Sequence, residues 1–206
     1  MKALKVYPSN INMRFIAEAV NALKNGEVIA YPTDTFYALG CDALNNNAIE
    51  KICRIKDIDP RKEALSIVCA DISSASEYAR IDNRSFRYLR QYLPGPFTFI
   101  LPTSTSLPKV FKGRKEVGIR IPDNPVALTL TAELGNPILS TTAIAHDEDF
   151  LTPLSDPDSV VLASSPVISL LIDSGDTPGV ESTIVSLIDS ANPEIIRQGA
   201  GIFEDI

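Results

Sequence analysis

The sequence predicts an α/β fold built on a twisted, open, mixed parallel and antiparallel sheet. Three observations predict it. Helical and strand-like patterns alternate through the first part of the chain, short apolar runs crowd its C-terminal third, and the composition suffices for one sizeable core. At 206 residues, 45% hydrophobic and 22% charged, the chain suits a single domain, 1–206, that buries roughly 70% of its unfolded surface.

The elements follow in order. NMRFIAEAVNALKNG sets Phe15, Ile16, Ala19, Val20 and Leu23 on one helical stripe and closes at Gly26, a suitable left-handed cap. VIAY is a short apolar strand. After a polar loop, NNNAIEKICRIK forms a helix with Ile49, Ile52 and Cys53 on one face and Asn47 as its cap. ALSIVCA reads as a buried strand, IDNRSFRYLRQYLPGP as a helix halted by Pro94, Gly95 and Pro96, and FTFIL and VGIRIP as the next strands. DNPVALTLTAELGNP is a helix capped by Asn124, with Pro125 in its first turn and Gly135 past its end. PILST, ISLLID, STIVSL and EIIRQG complete the strands. The segment HDEDFLTPLSDPDS, acidic and twice interrupted by proline, reads as a loop. No repeat, low-complexity tract or linker divides the chain.

Composition narrows the function classes. Cys41, Cys53 and Cys69 stand apart without a C-x-x-C pair, so reduced, intracellular thiols are the default. MKALKVYPSNINMR lacks the apolar core of a signal peptide, and no apolar run approaches the roughly 20 residues of a membrane span. A cytoplasmic location without membrane contact is expected. The net charge of −7 repels nucleic acid overall, so RNA contact requires a local basic surface. Two exist: Arg80, Arg84, Arg87 and Arg90, and the run of Lys109, Lys112, Arg114, Lys115 and Arg120. Such runs are more often solvated faces than binding surfaces.

Neither a G-x-x-x-x-G-K-[ST] loop, nor G-x-G-x-x-G, nor a metal-ligand histidine spacing occurs, and no metal-binding residues are assigned. His146, the one histidine, stands isolated in an acidic loop and does not carry a Ser-His-Asp reading. What remains is a set of polar clusters at strand and helix ends: PTDT, the lysine of ICRIK, GIRIP, LSTTA and GVESTI. Each also has a structural explanation. Thr33 and Thr35 suit a turn after Pro32, and Lys56 suits a helix C-terminus. Arg120 suits the solvent face of a strand, and Ser140 to Thr142 suit a strand end.

Taken in order, GEVIAYPTDTFYALGCDA, IEKICRIK, LPGPFTFIL, VGIRIPDNPVA, NPILSTTA, GVESTIVSL and EIIRQGAG resemble the family of YrdC-like proteins. These make threonylcarbamoyl-adenylate from threonine, bicarbonate and ATP for tRNA modification. Through IDNRSFRYLR and LSTTA the chain is most similar to the YciO branch, and because it ends soon after IIRQG it corresponds to the short form of the family. The resemblance implies helices and a sheet around one large, basic, concave cavity. Lys56, near the phosphates, and Arg120, whose planar fork suits a carboxylate or phosphate, are the implied catalytic groups. Thr33, Thr35, Ser140, Thr141, Thr142, Ser182 and Arg197 are the implied substrate- and nucleotide-binding residues, with Asp34 and Glu181 as supporting acids. Mg2+ is implied as the companion of ATP, and double-stranded RNA or tRNA as a further partner.

The sequence departs from the family pattern of K-x-R followed by S-x-N, because Ile58 and Ile144 stand where arginine and asparagine are typical. A guanidinium lost beside a triphosphate removes a contact worth about 1.5–3 kcal/mol, and spacing alone does not show whether Arg61 or Lys62 reaches the same phosphates after a one-residue insertion. The alternative expectation is therefore a nucleotide- or RNA-binding module that keeps the cavity without adenylation. A third is carbamoyl or adenylyl transfer on a different amino acid.

Overall fold

Alternation along the strands divides the core into two layers. In the computed structural model, which describes residues 1–57, 65–104, 114–146, 151–164 and 167–205, neighbouring strand residues such as Ala30 and Tyr31, Ile67 and Val68, and Leu139 and Ile138 enter different hydrophobic clusters. The two clusters lie on opposite faces of one sheet, as a period of two requires.

That sheet has ten strands among the described residues: β1 (Lys2–Lys5), β2 (Ile29–Tyr31), β3 (Ala38–Asp42), β4 (Ser66–Val68), β5 (Phe97–Pro102), β6 (Glu116–Arg120), β7 (Ile138–Thr142), β10 (Leu170–Asp173), β11 (Thr183–Ser186) and β12 (Glu194–Arg197). Their order is β1-β10-β2-β3-β7-β4-β6-β5-β11-β12. The pairs β1–β10, β10–β2, β4–β6 and β5–β11 are parallel, and the other five are antiparallel, so the sheet is mixed as expected.

Helices α1 (Met13–Lys24) and α5 (Pro125–Leu134) pack together on one face through Ile16, Val20, Leu23, Val126 and Leu130. On the other face, α2 (Asn46–Lys56) contributes Ile49 and Ile52, and α4 (Asn83–Tyr92) contributes Tyr88 and Leu89. Local chemistry sets most helix limits. Asn124 accepts bonds from the amides of Val126 and Ala127, and Gly135 leaves α5 with a φ of 75°. The cap of α2 is Asn45 rather than Asn47: the Asn45 carboxamide accepts from Ala48 N at 3.2 Å, and Asn47 lies inside the helix.

Several elements differ from the sequence expectation. The polar loop expected after β2 contains strand β3, all five of whose residues are buried between β2 and β7. Strand β1 and the short helix α3 (Ile72–Ala75) were also not anticipated. The expected acidic loop carries regular structure in its described residues. β9 (Leu151–Pro153) pairs with β8 (Ile144–His146), and α6 (Pro157–Ser164) starts where Asp156 accepts a bond from Ser159 N. Residues 147–150 of that segment lie outside the described residues. Backbone bonds from Tyr37 N to Leu154 O and from Leu154 N to Ala143 O tie it to the loop after β2 and to the end of β7.

The C-terminal residues cross back over α4. Phe203 packs against Tyr88, Tyr92 and Phe99, and the Tyr92 hydroxyl donates to the Glu204 carbonyl at 2.8 Å. Cys41, Cys53 and Cys69 are buried thiols that form no disulfide among the described residues. Among the described residues no helix is long and apolar enough to cross a membrane.

Candidate functional site

Strand register gathers the polar residues. Ser140 of β7 lies opposite Ser66 of β4, which lies opposite Gly118 of β6. Ile184 of β11 lies between Thr98 of β5 and Arg197 of β12. Because side chains alternate, Ser140, Ser66, Arg120, Thr98, Ile184 and Arg197 all rise on one face. It is the face that α1 covers farther along, over β10, β2 and β3. Beyond that cover a hollow of about 160 Å³ remains, lined by these residues with Thr141, Thr142 and Ser182.

Gly118 keeps its floor open, since a Cβ there would stand 2.4 Å from Ser66 Oγ and 3.2 Å from Thr98 Cγ2. Gly199 serves the far wall. Its bare Cα lets the turn after β12 press on the Glu181–Ser182 backbone, where a Cβ would come within 2.3 Å of the Glu181 carbonyl oxygen.

Arg120 is held from the loop between β2 and β3. Its Nη2 donates to Asp34 Oδ1 at 2.9 Å and to Thr35 Oγ1 at 3.1 Å, while its buried Nε has no protein partner. The other Asp34 oxygen accepts from Asp123 N at 3.0 Å. Thr33 builds the turn itself: Thr33 Oγ1 accepts from Thr35 N at 3.1 Å, donates to the Phe36 carbonyl at 2.7 Å, and touches Thr35 Oγ1 at 2.9 Å.

On the opposite wall, Arg197 donates through Nε and Nη2 to the Ser182 carbonyl at 3.2 and 3.0 Å, and pairs through Nη1 with Glu181 at 3.3 Å. Ser182 Oγ meets Thr98 Oγ1 at 3.1 Å. Ser140 accepts from the buried Tyr31 hydroxyl at 2.7 Å, and burial pushes the Tyr31 phenol up to about 12. Lys56, the last residue of α2, donates through Nζ to the Thr142 carbonyl at 3.1 Å, and burial lowers its pKa to about 8.

The expected cavity is in two parts of opposite charge. A second hollow of about 420 Å³ is lined by Thr33, Asp34, Asp123, Asp176 and Thr177 among others. The two parts meet at the Arg120–Asp34 pair, because each partner lines a different one. Of the residues singled out in the sequence, Arg120, Ser140, Thr141, Thr142, Ser182 and Arg197 share the first hollow. Thr35 joins them through Arg120, Lys56 reaches the backbone of Thr142, and Thr33 lines the acidic hollow instead.

Ser66, Thr98, Gly118 and Tyr31 were not singled out. The signal for Thr98 was present: a threonine between two phenylalanines in FTFIL must face away from their core. Ile144 is half-buried on β8. Ile58, Arg61, Lys62, Lys109 and Lys112 lie outside the described residues, and so does the side chain of His146. Arg80, Arg87 and Arg90 are exposed, whereas Arg84 pairs with Asp205 at 3.4 Å. Among the described residues no group of three or more histidine, cysteine or acidic side chains could hold a metal ion.

Comparison with known proteins agrees with this fold. A family model named for Sua5, YciO and YrdC, and described as telomere recombination, matches residues 21–199. The uncharacterized protein YciO of Escherichia coli (strain K12) is 36% identical over 198 residues, covering 95% of this chain and 94% of YciO. The E. coli YciO crystal structure superposes with a TM-score of 0.88 at 34% identity, over 98% of this chain and 97% of that one. The threonylcarbamoyl-AMP synthase of Bacillus subtilis (strain 168) is 34% identical over 195 residues, covering 93% of this chain but 55% of the synthase. The crystal structure of P. abyssi Sua5 complexed with L-threonine has a TM-score of 0.86 and 27% identity, over 97% of this chain and 58% of that one.

Proposed function

The chain belongs to the Sua5, YciO and YrdC family, and from that premise we propose that it acts as a threonylcarbamoyl-AMP synthase-like nucleotidyltransferase in the cytoplasm. In this reading it forms threonylcarbamoyl-AMP and pyrophosphate from threonine, bicarbonate and ATP, supplying the t6A modification of tRNA. One observation carries the reading. Two guanidiniums and a row of hydroxyls converge on a hollow that, among the described residues, no carboxylate lines, a setting that favours carboxylate and phosphate oxygens. The L-threonine complex of P. abyssi Sua5 supports threonine as the amino acid.

At about 160 Å³ the hollow is smaller than a typical pocket for a whole drug-sized ligand. It takes the amino acid or a phosphoryl portion, and the nucleoside extends from its mouth. Arg120, steadied by Asp34 and Thr35, and Arg197, steadied by Ser182 and Glu181, neutralise the charge that develops as the carbamate oxygen attacks the α-phosphorus and pyrophosphate departs. Fixed before the substrate arrives, they need no reorganisation. Mg2+ suits the triphosphate oxygens rather than a protein cage, since the hollow offers hydroxyls and cations.

The test is pyrophosphate release with ATP, magnesium and bicarbonate, with and without threonine, alongside mass detection of the adenylate. Product that depends on threonine and bicarbonate supports the reading, and ATP binding without product rejects it. Ile144 in place of asparagine favours a second reading, a YciO-type nucleotide- or RNA-binding protein with little synthase activity. RNA affinity that falls steeply with salt supports an RNA-binding role, and no binding at low salt excludes it.

A further inference from the structure

A further cavity, of about 290 Å³, opens at the other end of the β4–β7 pair. In that pair Val68 lies opposite Ile138, and both are fully buried. Ser66 and Ser140, on one side of them, line the arginine-bearing hollow, whereas Cys69, Asn136 and Pro137, on the other side, line this cavity. No residue lines both.

Its charges have one sign. Asp71 and Glu77 line it, and no lysine or arginine among the described residues does. Glu77 forms no ion pair among the described residues. Asn136 donates through Nδ2 to Asp42 Oδ2 at 3.1 Å, which sets a third carboxylate behind the wall. Helix α5 ends here at Gly135 with no basic residue in its last turn, so nothing within the helix neutralises the negative end of its dipole.

Tyr78 points to a ligand independently. It lines the cavity and is only 7% exposed, yet among the described residues its hydroxyl has no hydrogen-bond partner. A buried tyrosine hydroxyl ordinarily finds one. Burial, then the nearby Glu77, Cys69 and Asp42, push the phenol up. Because Glu77 and Cys69 both line the cavity, the hydroxyl stands on its side of the ring, as a neutral donor and acceptor.

We propose that this cavity is a second ligand site, and that it binds a small aliphatic amine as its ammonium ion. Glu77 and Asp71 balance the charge, the Tyr78 hydroxyl accepts an N–H, and Ala70, Ala132 and Pro137 cover the carbon chain. The volume sits near the lower limit of ligand pockets, roughly 300 Å³, which restricts the guest to a short chain. Among the described residues no group of three or more histidine, cysteine or acidic side chains could hold a metal ion, which favours an organic cation over a bare one. The site goes beyond the proposed synthase function and does not depend on it.

The experiment titrates the full, ¹⁵N-labelled chain with 1,4-diaminobutane, followed by amide NMR shifts, up to about 10 mM, ten times a Kd of about 1 mM. Neutral 1,4-butanediol, sodium chloride at matched ionic strength and magnesium chloride are the controls. The expected result is saturable shifts at Ala70, Glu77 and Gly135 with the diamine alone. Affinity should fall at least about tenfold in Glu77→Gln, which removes a charged partner, and about threefold in Tyr78→Phe, which removes only the hydroxyl. No saturation, equal shifts with butanediol or magnesium, or wild-type affinity in either variant overturns the proposal. Pyrophosphate release is read separately on the same proteins, so loss of the amine site leaves the synthase reading untouched.

Discussion

Arg120 and Asp34, 86 residues apart in the chain, are joined by a 2.9 Å hydrogen-bonded ion pair, with side chains only 11% and 7% exposed. The pair separates a basic hollow from an acidic one. Removing one partner strands the other in a low-dielectric setting, so Asp34→Ala is expected to cost about 3 kcal/mol of stability. Urea denaturation measures it. A loss below about 0.5 kcal/mol would place the pair with exposed salt bridges.

Arg197 is anchored differently. Its side chain is 40% exposed, and it bonds mainly to a backbone carbonyl. Arg197→Ala should therefore weaken ATP or threonine binding roughly ten- to hundredfold, the equivalent of about 1.5–3 kcal/mol, with little change in melting temperature. Calorimetric titration decides this, and unchanged affinity would remove Arg197 from the site.

Gly118 leaves room that a methyl group would fill. Gly118→Ala places a Cβ 2.4 Å from Ser66 Oγ and should cost about 1–3 kcal/mol by overpacking, while narrowing the hollow. Adding Ser66→Gly should recover most of the stability. Thermal denaturation of the single and double variants reads both effects.

Tyr31 orients Ser140 from beneath. Tyr31→Phe should cost about 1 kcal/mol for the lost buried hydrogen bond. Burial raises the phenol from 10.0 to about 12, so the fold holds a proton that the unfolded chain releases between those values. Its contribution is complete below pH 10 and is lost as pH rises toward 12. Ultraviolet titration of the wild type against Tyr31→Phe should therefore lose a late-titrating tyrosine, and an unchanged curve near pH 12 would contradict the assignment.

Much of the helical structure was legible because helix limits are local. Gly26 and Gly135 supply positive φ, and Asn124 folds its carboxamide onto amides two and three residues away. The candidate site residues were legible through their resemblance to a family, since PTDT, GIRIP, LSTTA and GVESTI are contiguous strings. Strand β3 was not legible, because ALGCD is buried throughout and lacks the polar alternation that marks a half-exposed strand.

The sequence by itself determined the α/β class, the mixed sheet, the position of most helices and the residues with the chemistry to bind anions. Tertiary structure decided how they meet. Register set Ser66 against Ser140 and Gly118, and Thr98 against Ile184, across strands far apart in the chain. It also sent Thr33 into a turn and the acidic hollow while Thr35 took hold of Arg120. The physical reason is that capping and alternation act over a few residues, whereas pairing, burial and charge neutralisation depend on partners that only the folded sheet brings within hydrogen-bonding distance.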